Sequence, residues 1–178
     1  MTDSNKHYEE FLQTFITGLN ENGFATQLEG ASAERVHPEL LVQLSGDEQN
    51  PTDYIASFTI IPGMEEQLED HWLLQCFVQM SEPLEKIATE ALTPLILRLN
   101  TVNPLVGFTF FPAEKVLAFR HTFLVAREAD RAAATVLETT WIISYLLNLF
   151  GQPLLAVAKE EHTTAEAFRD HPYADLII

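Results

Sequence analysis

Hydrophobic and polar residues follow two different spacings along this chain, and the spacing changes at each predicted element. Where apolar residues alternate with polar ones, the period of two is typical of a strand with one buried face. Where they recur every three or four positions, the pattern indicates a helix with one buried face. In the second half of the chain these spacings predict a strand, a helix, a β-hairpin and a helix at residues 72–80, 84–100, 106–125 and 129–150.

The first half of the chain contains one clear helix and weaker strands. Apolar residues at helical spacing predict an amphipathic helix over residues 5–22, ended by Gly23. Residues 40–45 and 54–61 read as strands, and residues 24–29 are compatible with a further short one. The whole pattern predicts an α+β fold of order α-β-β-β-α-β-β-α. In this fold two long helices pack on an antiparallel sheet of about five strands.

Chain length and composition are those of one globular unit. With 178 residues, of which 47% are hydrophobic, residues 1–178 are expected to form a single domain. We expect residues 1–6 to be disordered. Gly151 and Pro153 are expected to end the last helix, so residues 153–178 are predicted to form a C-terminal tail.

Charge is unevenly distributed. The formal net charge is -16, and residues 7–85 hold fifteen acidic side chains against one base, Arg35. Nucleic-acid binding is not expected because phosphate neutralisation needs clustered Lys and Arg, and an anionic membrane surface is disfavoured for the same reason. The acidic half is either a solvated face that keeps the protein soluble or a docking face for a basic partner.

The chain shows no pattern of a membrane or secretory segment. The longest apolar run, residues 141–150, is interrupted by Ser144 and Asn148 and is half the roughly 20 residues that a bilayer span needs. Residues 1–7 are polar and lack the apolar centre of a secretory signal, so we expect a cytoplasmic location. The single cysteine, Cys76, excludes an intrachain disulfide.

Residues that support catalysis or metal binding do not occur at recognisable spacings. The six histidines are scattered without an i, i+4 pair, and no serine lies in a Gly-x-Ser-x-Gly turn. We therefore expect no enzymatic activity, no metal and no cofactor. His121 alternates onto the apolar strand face, which predicts either a buried, hydrogen-bonded core residue or a residue that lines a pocket. The alternative function is thus a small-molecule binder or enzyme with a pocket near Trp72, Arg120 and His121.

The second half of the last helix is apolar on every face. A helix that is apolar all round is buried all round, so either residues 154–157 and 176–178 fold over its outer side or a second copy does. Five residues on that side form a candidate interface with a protein partner, including a homodimer: Trp141, Ile142, Tyr145, Leu146 and Leu149. The sequence predicts a non-enzymatic protein-binding module, chaperone-like or regulatory, that holds a partner segment on exposed apolar patches of the sheet or of the last helix. It does not identify the partner.

Three segments carry a resemblance to a known family that covers roughly residues 72–152. They are the Leu-Asn end of the helix 84–100, the segment NPLVGFTFFPAEKVLAFRHTFLV, and ISYLLNLFGQPL in the last helix. Together they resemble the bacterial YbjN family, whose fold is similar to that of type III secretion chaperones. The resemblance implies a small, acidic, often dimeric protein, with Asn100 at the helix end and with Gly107 and Phe108 opening the hairpin.

Overall fold

Six strands form one antiparallel sheet in the computed structural model, which describes residues 3–46 and 51–178. In chain order they are β1 (Thr26–Glu29), β2 (Glu39–Leu44), β3 (Tyr54–Ile60), β4 (His71–Gln79), β5 (Phe108–Phe111) and β6 (Val116–Ala126). Their spatial order is β1-β2-β3-β4-β6-β5, which makes β1 and β5 the edge strands. The predicted α+β fold with an antiparallel sheet is confirmed, and the sixth strand is β1.

Six helices lie within the described residues. They are α1 (Asp3–Gln13), α2 (Ile16–Glu21), α3 (Thr89–Val102), α4 (Ala129–Ala158), α5 (Thr164–Ala167) and α6 (Ala174–Ile177). The helix predicted over 5–22 is thus divided into α1 and α2 by a turn at Thr14 and Phe15. Without the short elements α2, β1, α5 and α6, the order of helices and strands is the predicted one.

The core lies between one face of the sheet and the helices. Side chains that alternate along the central strands point into it and are at most 6% exposed: Tyr54, Ala56, Phe58 and Ile60 on β3, and Trp72, Leu74, Cys76 and Val78 on β4. The alternate residues of β3 and β4 are half-buried or exposed. Within residues 3–46 and 51–178, therefore, the opposite face of the sheet has no covering layer.

The N-terminal helix begins earlier than the sequence predicted. Residues 1–6 were expected to be disordered; residues 1 and 2 lie outside the described residues, but residues 3–6 belong to α1, which starts at Asp3. Asn5 is buried, and its Nδ2 donates to the carbonyl oxygen of Val36 at 2.9 Å. Its Oδ1 lies 3.1 Å from His37 Nδ1. These bonds hold the first helical turn against the segment before β2. Their partners are about 30 residues apart in the sequence, so a local sequence pattern does not predict them.

The last helix is longer than predicted. It continues through Gly151 and Pro153 to Ala158, so the tail predicted over 153–178 begins at residue 159 instead. A proline inside a helix leaves one backbone carbonyl without its usual donor, here that of Leu149. His171 Nε2 donates to the Leu149 oxygen at 3.1 Å. The freed carbonyl is satisfied by a side chain from the tail, and the helix continues.

Helix α3 begins at Thr89, five residues later than predicted. The residues before it run beside the sheet, where Ser81 Oγ accepts from the Leu117 N–H at 3.1 Å and the Leu84 N–H donates to the Lys115 oxygen at 3.0 Å. Because these backbone and side-chain groups already bond with the β5–β6 hairpin, they do not join the helix.

Asn100 joins the last turn of α3 to the start of β5. Its Oδ1 accepts from the N–H groups of Gly107 at 3.2 Å and Phe108 at 3.1 Å, while its Nδ2 donates to the Phe108 oxygen at 2.8 Å. A Cβ atom at Gly107 would lie 2.5 Å from the buried ring of Phe119, so glycine is needed there. The three residues that the family resemblance singled out therefore form one structural unit.

Candidate functional site

The five candidate interface residues on α4 are not equally available. Leu146 is only 1% exposed and Leu149 is half-buried, whereas Trp141, Ile142 and Tyr145 are 52%, 37% and 55% exposed. The structure thus places two of the five against the chain itself and leaves three at the surface.

C-terminal residues provide this intrachain cover. Phe168 is fully buried, and the His171 ring stacks on Phe150 with centroids 4.9 Å apart. Tyr173 lies with Leu146 and Leu149 around one small cavity. Intrachain cover, one of the two arrangements that the sequence left open, is therefore present for the inner part of this surface. The covering residues are not the predicted ones, however, because residues 154–157 continue α4.

The exposed remainder of the α4 surface is small. Trp141 already packs edge-on against Phe24, with ring centroids 4.8 Å apart. From the exposed fractions of Trp141, Ile142 and Tyr145, about 300 Å² of side-chain surface is accessible, which is ordinary for the largest apolar patch of a monomer. This patch alone gives weak support for an interface.

The predicted pocket residues lie apart. Trp72 faces the core beside Tyr8, and Arg127 stacks over its ring at 4.2 Å. Arg120 lies on the opposite face of the sheet, where its Nε donates to Gln75 Oε1 at 2.6 Å. His121 shares the face of Trp72 but pairs with Cys76, four residues further along β4. The structure does not bring Trp72, Arg120 and His121 together around one cavity.

His121 is a hydrogen-bonded strand residue at the side of the sheet. Its Nδ1 lies 3.0 Å from the Val106 oxygen, and its ring stacks on Phe123 at 5.5 Å. It is half-buried because β5 pairs with β6 only as far as Phe119. The expected hydrogen bond is present, and the expected full burial is not, because no strand among the described residues covers this part of β6.

Neither nucleophilic nor metal-binding geometry is apparent in the part of the chain that the structure describes. Cys76 is fully buried, and this burial raises the pKa of its thiol, which disfavours the reactive thiolate. No three His, Cys, Asp or Glu side chains of the described residues cluster as a metal site would require.

A cluster of aromatic and charged side chains, formed by Tyr8, Glu65, Trp72 and Arg127, packs α1 against the end of the sheet. The Tyr8 hydroxyl donates to the Glu65 carboxylate, which lowers the pKa of Glu65. Burial, followed by this bond, raises the pKa of Tyr8 to about 12. Arg127 donates to the Glu65 backbone oxygen at 2.9 Å. Each polar group has a partner within the fold, so the cluster is structural.

One small, partly open cavity lies between the end of α3, α4 and the tail. It has a volume of about 50 Å³ and is lined by Asn103, Tyr145, Phe150 and Tyr173 among others. The Asn103 Nδ2 is buried there and has no hydrogen-bond partner among the described residues. The space suits a few water molecules, at roughly 10–15 Å³ each. It is far below the roughly 300 Å³ at which pockets for small molecules begin.

The uncovered side of the sheet is the other surface on which the sequence predicted exposed apolar patches, although that prediction named no residues there. We call it the open sheet face. Leu73 and Leu124 pair directly across it, and the rings of Phe77 and Phe111 lie 6.1 Å apart. Its apolar side chains are half-buried or exposed, with Ile55 and Leu124 52% and 50% exposed: Leu41, Ile55, Leu73, Phe77, Phe111 and Leu124.

The open sheet face is nearly free of charge in an otherwise acidic chain. Among the outward positions of β3, β4, β5 and β6, Arg120 is the single Asp, Glu, Lys or Arg. The carboxylates of Glu29 and Glu39 lie at the far side of the sheet, on β1 and β2, and both pair with Arg35. The signal in the sequence was the run of Leu, Gln, Phe and Thr at strand positions where a solvated face ordinarily carries charges.

Helix α4 is also apolar over a greater length than the sequence interpretation allowed. By length and composition it is the one helix within the described residues that meets the criteria for a membrane span. The sequence predicted an apolar run of only ten residues, 141–150, because the helix was expected to end at Gly151. The helix in fact continues past Gly151 to Ala158. Of its most apolar window, 56% is buried inside the fold, as in the core helix of a water-soluble protein.

Comparison with known proteins does not assign the chain to a family. No family model matches it, and searches of curated proteins and of solved structures give no match. The resemblance to the YbjN family stays a prediction from the sequence.

Proposed function

We propose that this protein is a non-enzymatic, cytoplasmic protein-binding module, chaperone-like or regulatory in role, that holds its partner on the open sheet face. The observation that carries the proposal is a sheet face without a covering layer, on which apolar side chains are exposed and Arg120 is the single charge of four strands. Large apolar surfaces of this kind mark interaction sites in soluble proteins.

The energetics favour the sheet over the α4 patch. Full burial of a Leu or Ile side chain contributes about 1.5–3 kcal/mol, so covering the exposed halves of Ile55 and Leu124 would contribute about 1 kcal/mol each. The half-buried Leu73, Phe77 and Phe111 add to this along the same face. The Gln and Thr side chains between them are uncharged, so burying them under a partner costs less desolvation free energy than burying carboxylates would.

The proposal is tested by capture of binding proteins with matched variants. The immobilised chain, Leu124→Lys and Ile55→Lys are compared with the control Leu97→Lys, whose side chain is 65% exposed on α3. All three substitutions add the same charge at an exposed apolar position. We expect a defined set of proteins, including a second copy of this chain, to bind the unmodified chain and the control and to be lost from both sheet variants. Equal binding by all four proteins would contradict the proposal.

A further inference from the structure

The open sheet face suits a second copy of this chain. We infer that two copies pack these faces together, with the two sheets inside and the helices outside; this inference rests on the proposed function and names the partner at the same surface. Facing sheets pack about 10 Å apart, with side chains from both faces filling the space between them.

The charge of the chain favours this face for self-association. Each copy carries a net charge of -16, so most approaches of two copies bring carboxylates together. Helix α1 and the segment before β4 are examples, with Glu9, Glu10, Glu66 and Glu69. On the open sheet face, β3 to β6 present no carboxylate, and the two carboxylates of β1 and β2, Glu29 and Glu39, pair with Arg35. Two copies can therefore meet there without bringing unpaired carboxylates together.

The area of the open sheet face is also large enough for a stable dimer. Six strands about 4.8 Å apart and about seven residues long at about 3.4 Å per residue give a face of about 700 Å². Two such faces bury about 1,400 Å² in total, within the roughly 1,200–2,000 Å² of stable interfaces. The exposed side chains of Trp141, Ile142 and Tyr145 by themselves would bury about 600 Å² in a symmetric pair, below the roughly 1,200 Å² of stable interfaces.

The position of Arg120, the single charged residue among the outward positions of β3 to β6, also favours this pairing. A two-fold axis that runs along the strands between β3 and β4 places β6 of one copy over β2 of the other. Arg120 shares its cross-strand row with Leu41 of β2, and Glu39 lies two residues, about 7 Å, along that strand. In the pair, each Arg120 therefore faces the end of a strand that carries a carboxylate.

The test is the mass in solution, measured by light scattering or sedimentation over a wide range of protein concentration. We expect a species of twice the 20.1 kDa chain mass. Leu124→Lys, Ile55→Lys and Arg120→Glu should each raise the dimer dissociation constant about tenfold or more. The controls Leu97→Lys and Ile142→Lys should leave it within about twofold of the unmodified chain. Circular dichroism confirms that each variant is folded.

Salt provides an independent measurement. Because added salt screens the mutual repulsion of two acidic copies, the dimer should become tighter as ionic strength rises. A dimer that dissociates as the salt concentration rises would overturn the inference. So would a dimer that Ile142→Lys disrupts and that the sheet variants leave intact.

A chain that stays monomeric at every concentration would also overturn it. In that case capture of other proteins that still depends on Ile55 and Leu124 would leave the proposed function standing. Loss of both self-association and such capture would remove the proposed function as well.

Discussion

Replacing Asn100 by alanine tests how the α3–β5 connection is held. The side chain makes three hydrogen bonds, two accepted from the N–H groups of Gly107 and Phe108 and one donated to the Phe108 oxygen. Asn100→Ala removes all three, and the backbone groups that remain are partly buried, so water replaces the lost partners incompletely.

The expected loss of stability follows from these bonds. A hydrogen bond within a protein contributes about 0.5–1.5 kcal/mol net, so three lost bonds should lower the free energy of unfolding by about 2–3 kcal/mol. For a chain of this size, each kcal/mol corresponds to about 2–4 °C, which gives a fall in Tm of about 4–12 °C.

Chemical denaturation and calorimetry measure this difference directly. The matched control is Thr101→Ala at the next position, since the Thr101 hydroxyl is exposed and bonds only to the Leu97 oxygen of its own helix at 2.9 Å. We expect the control to change stability by at most about 0.5 kcal/mol. If Asn100→Ala were as stable as this control, the hydrogen bonds would not be what joins α3 to β5.

Three further predictions concern single residues. Gly107→Ala should cost about 1–3 kcal/mol, measured by urea unfolding, because its Cβ would lie 2.5 Å from the Phe119 ring; an unchanged midpoint would show that the ring moves freely. Burial lowers the pKa of His171 below its ordinary 6.5. The unfolded chain therefore binds this proton more readily, and stability should fall as the pH drops below about 6.5, whereas His171→Gln should show a smaller fall; identical pH profiles would refute this role. Cys76 should react with iodoacetamide only at the rate of unfolding, since its thiol is fully buried; fast labelling of the native protein would contradict its placement.

Much of the fold could be predicted because local spacing and tertiary packing agree. The alternation along β4 places Trp72, Leu74, Cys76 and Val78 on one face, and these side chains form the centre of the core. The β5–β6 hairpin and the order of the main elements follow from the same kind of pattern. In each case a single period of apolar residues decided both the element and its buried side.

The differences arose where a distant residue decides the local structure. Gly151 and Pro153 are ordinary helix-ending residues, yet α4 continues past both. His171 bonds to the carbonyl that the proline frees, and Leu154 and Val157 beyond it are buried in the core. Residues 3–6 are polar and near a terminus, yet Asn5 is held by Val36. Neither partner is within reach of a local sequence pattern, so no spacing argument reveals them.

The candidate site was located less well than the fold. An apolar helix surface indicates that something covers it, but not what; for Leu146 and Leu149 the cover is the tail of the same chain. The open sheet face depends on which side of the sheet the helices occupy. Alternation identifies the core side of each strand but does not show whether the opposite side also receives a layer.

Hydroxyl-radical footprinting with mass spectrometry tests most directly whether the open sheet face is the binding surface. The unmodified chain is labelled at low and at high concentration, and side-chain oxidation is compared position by position. We predict that Ile55, Phe77 and Leu124 become protected at high concentration while Trp141 and Tyr145 stay reactive. If Trp141 and Tyr145 became protected while oxidation of the sheet residues stayed the same, the open sheet face would not be the binding surface, and α4 would be the interface.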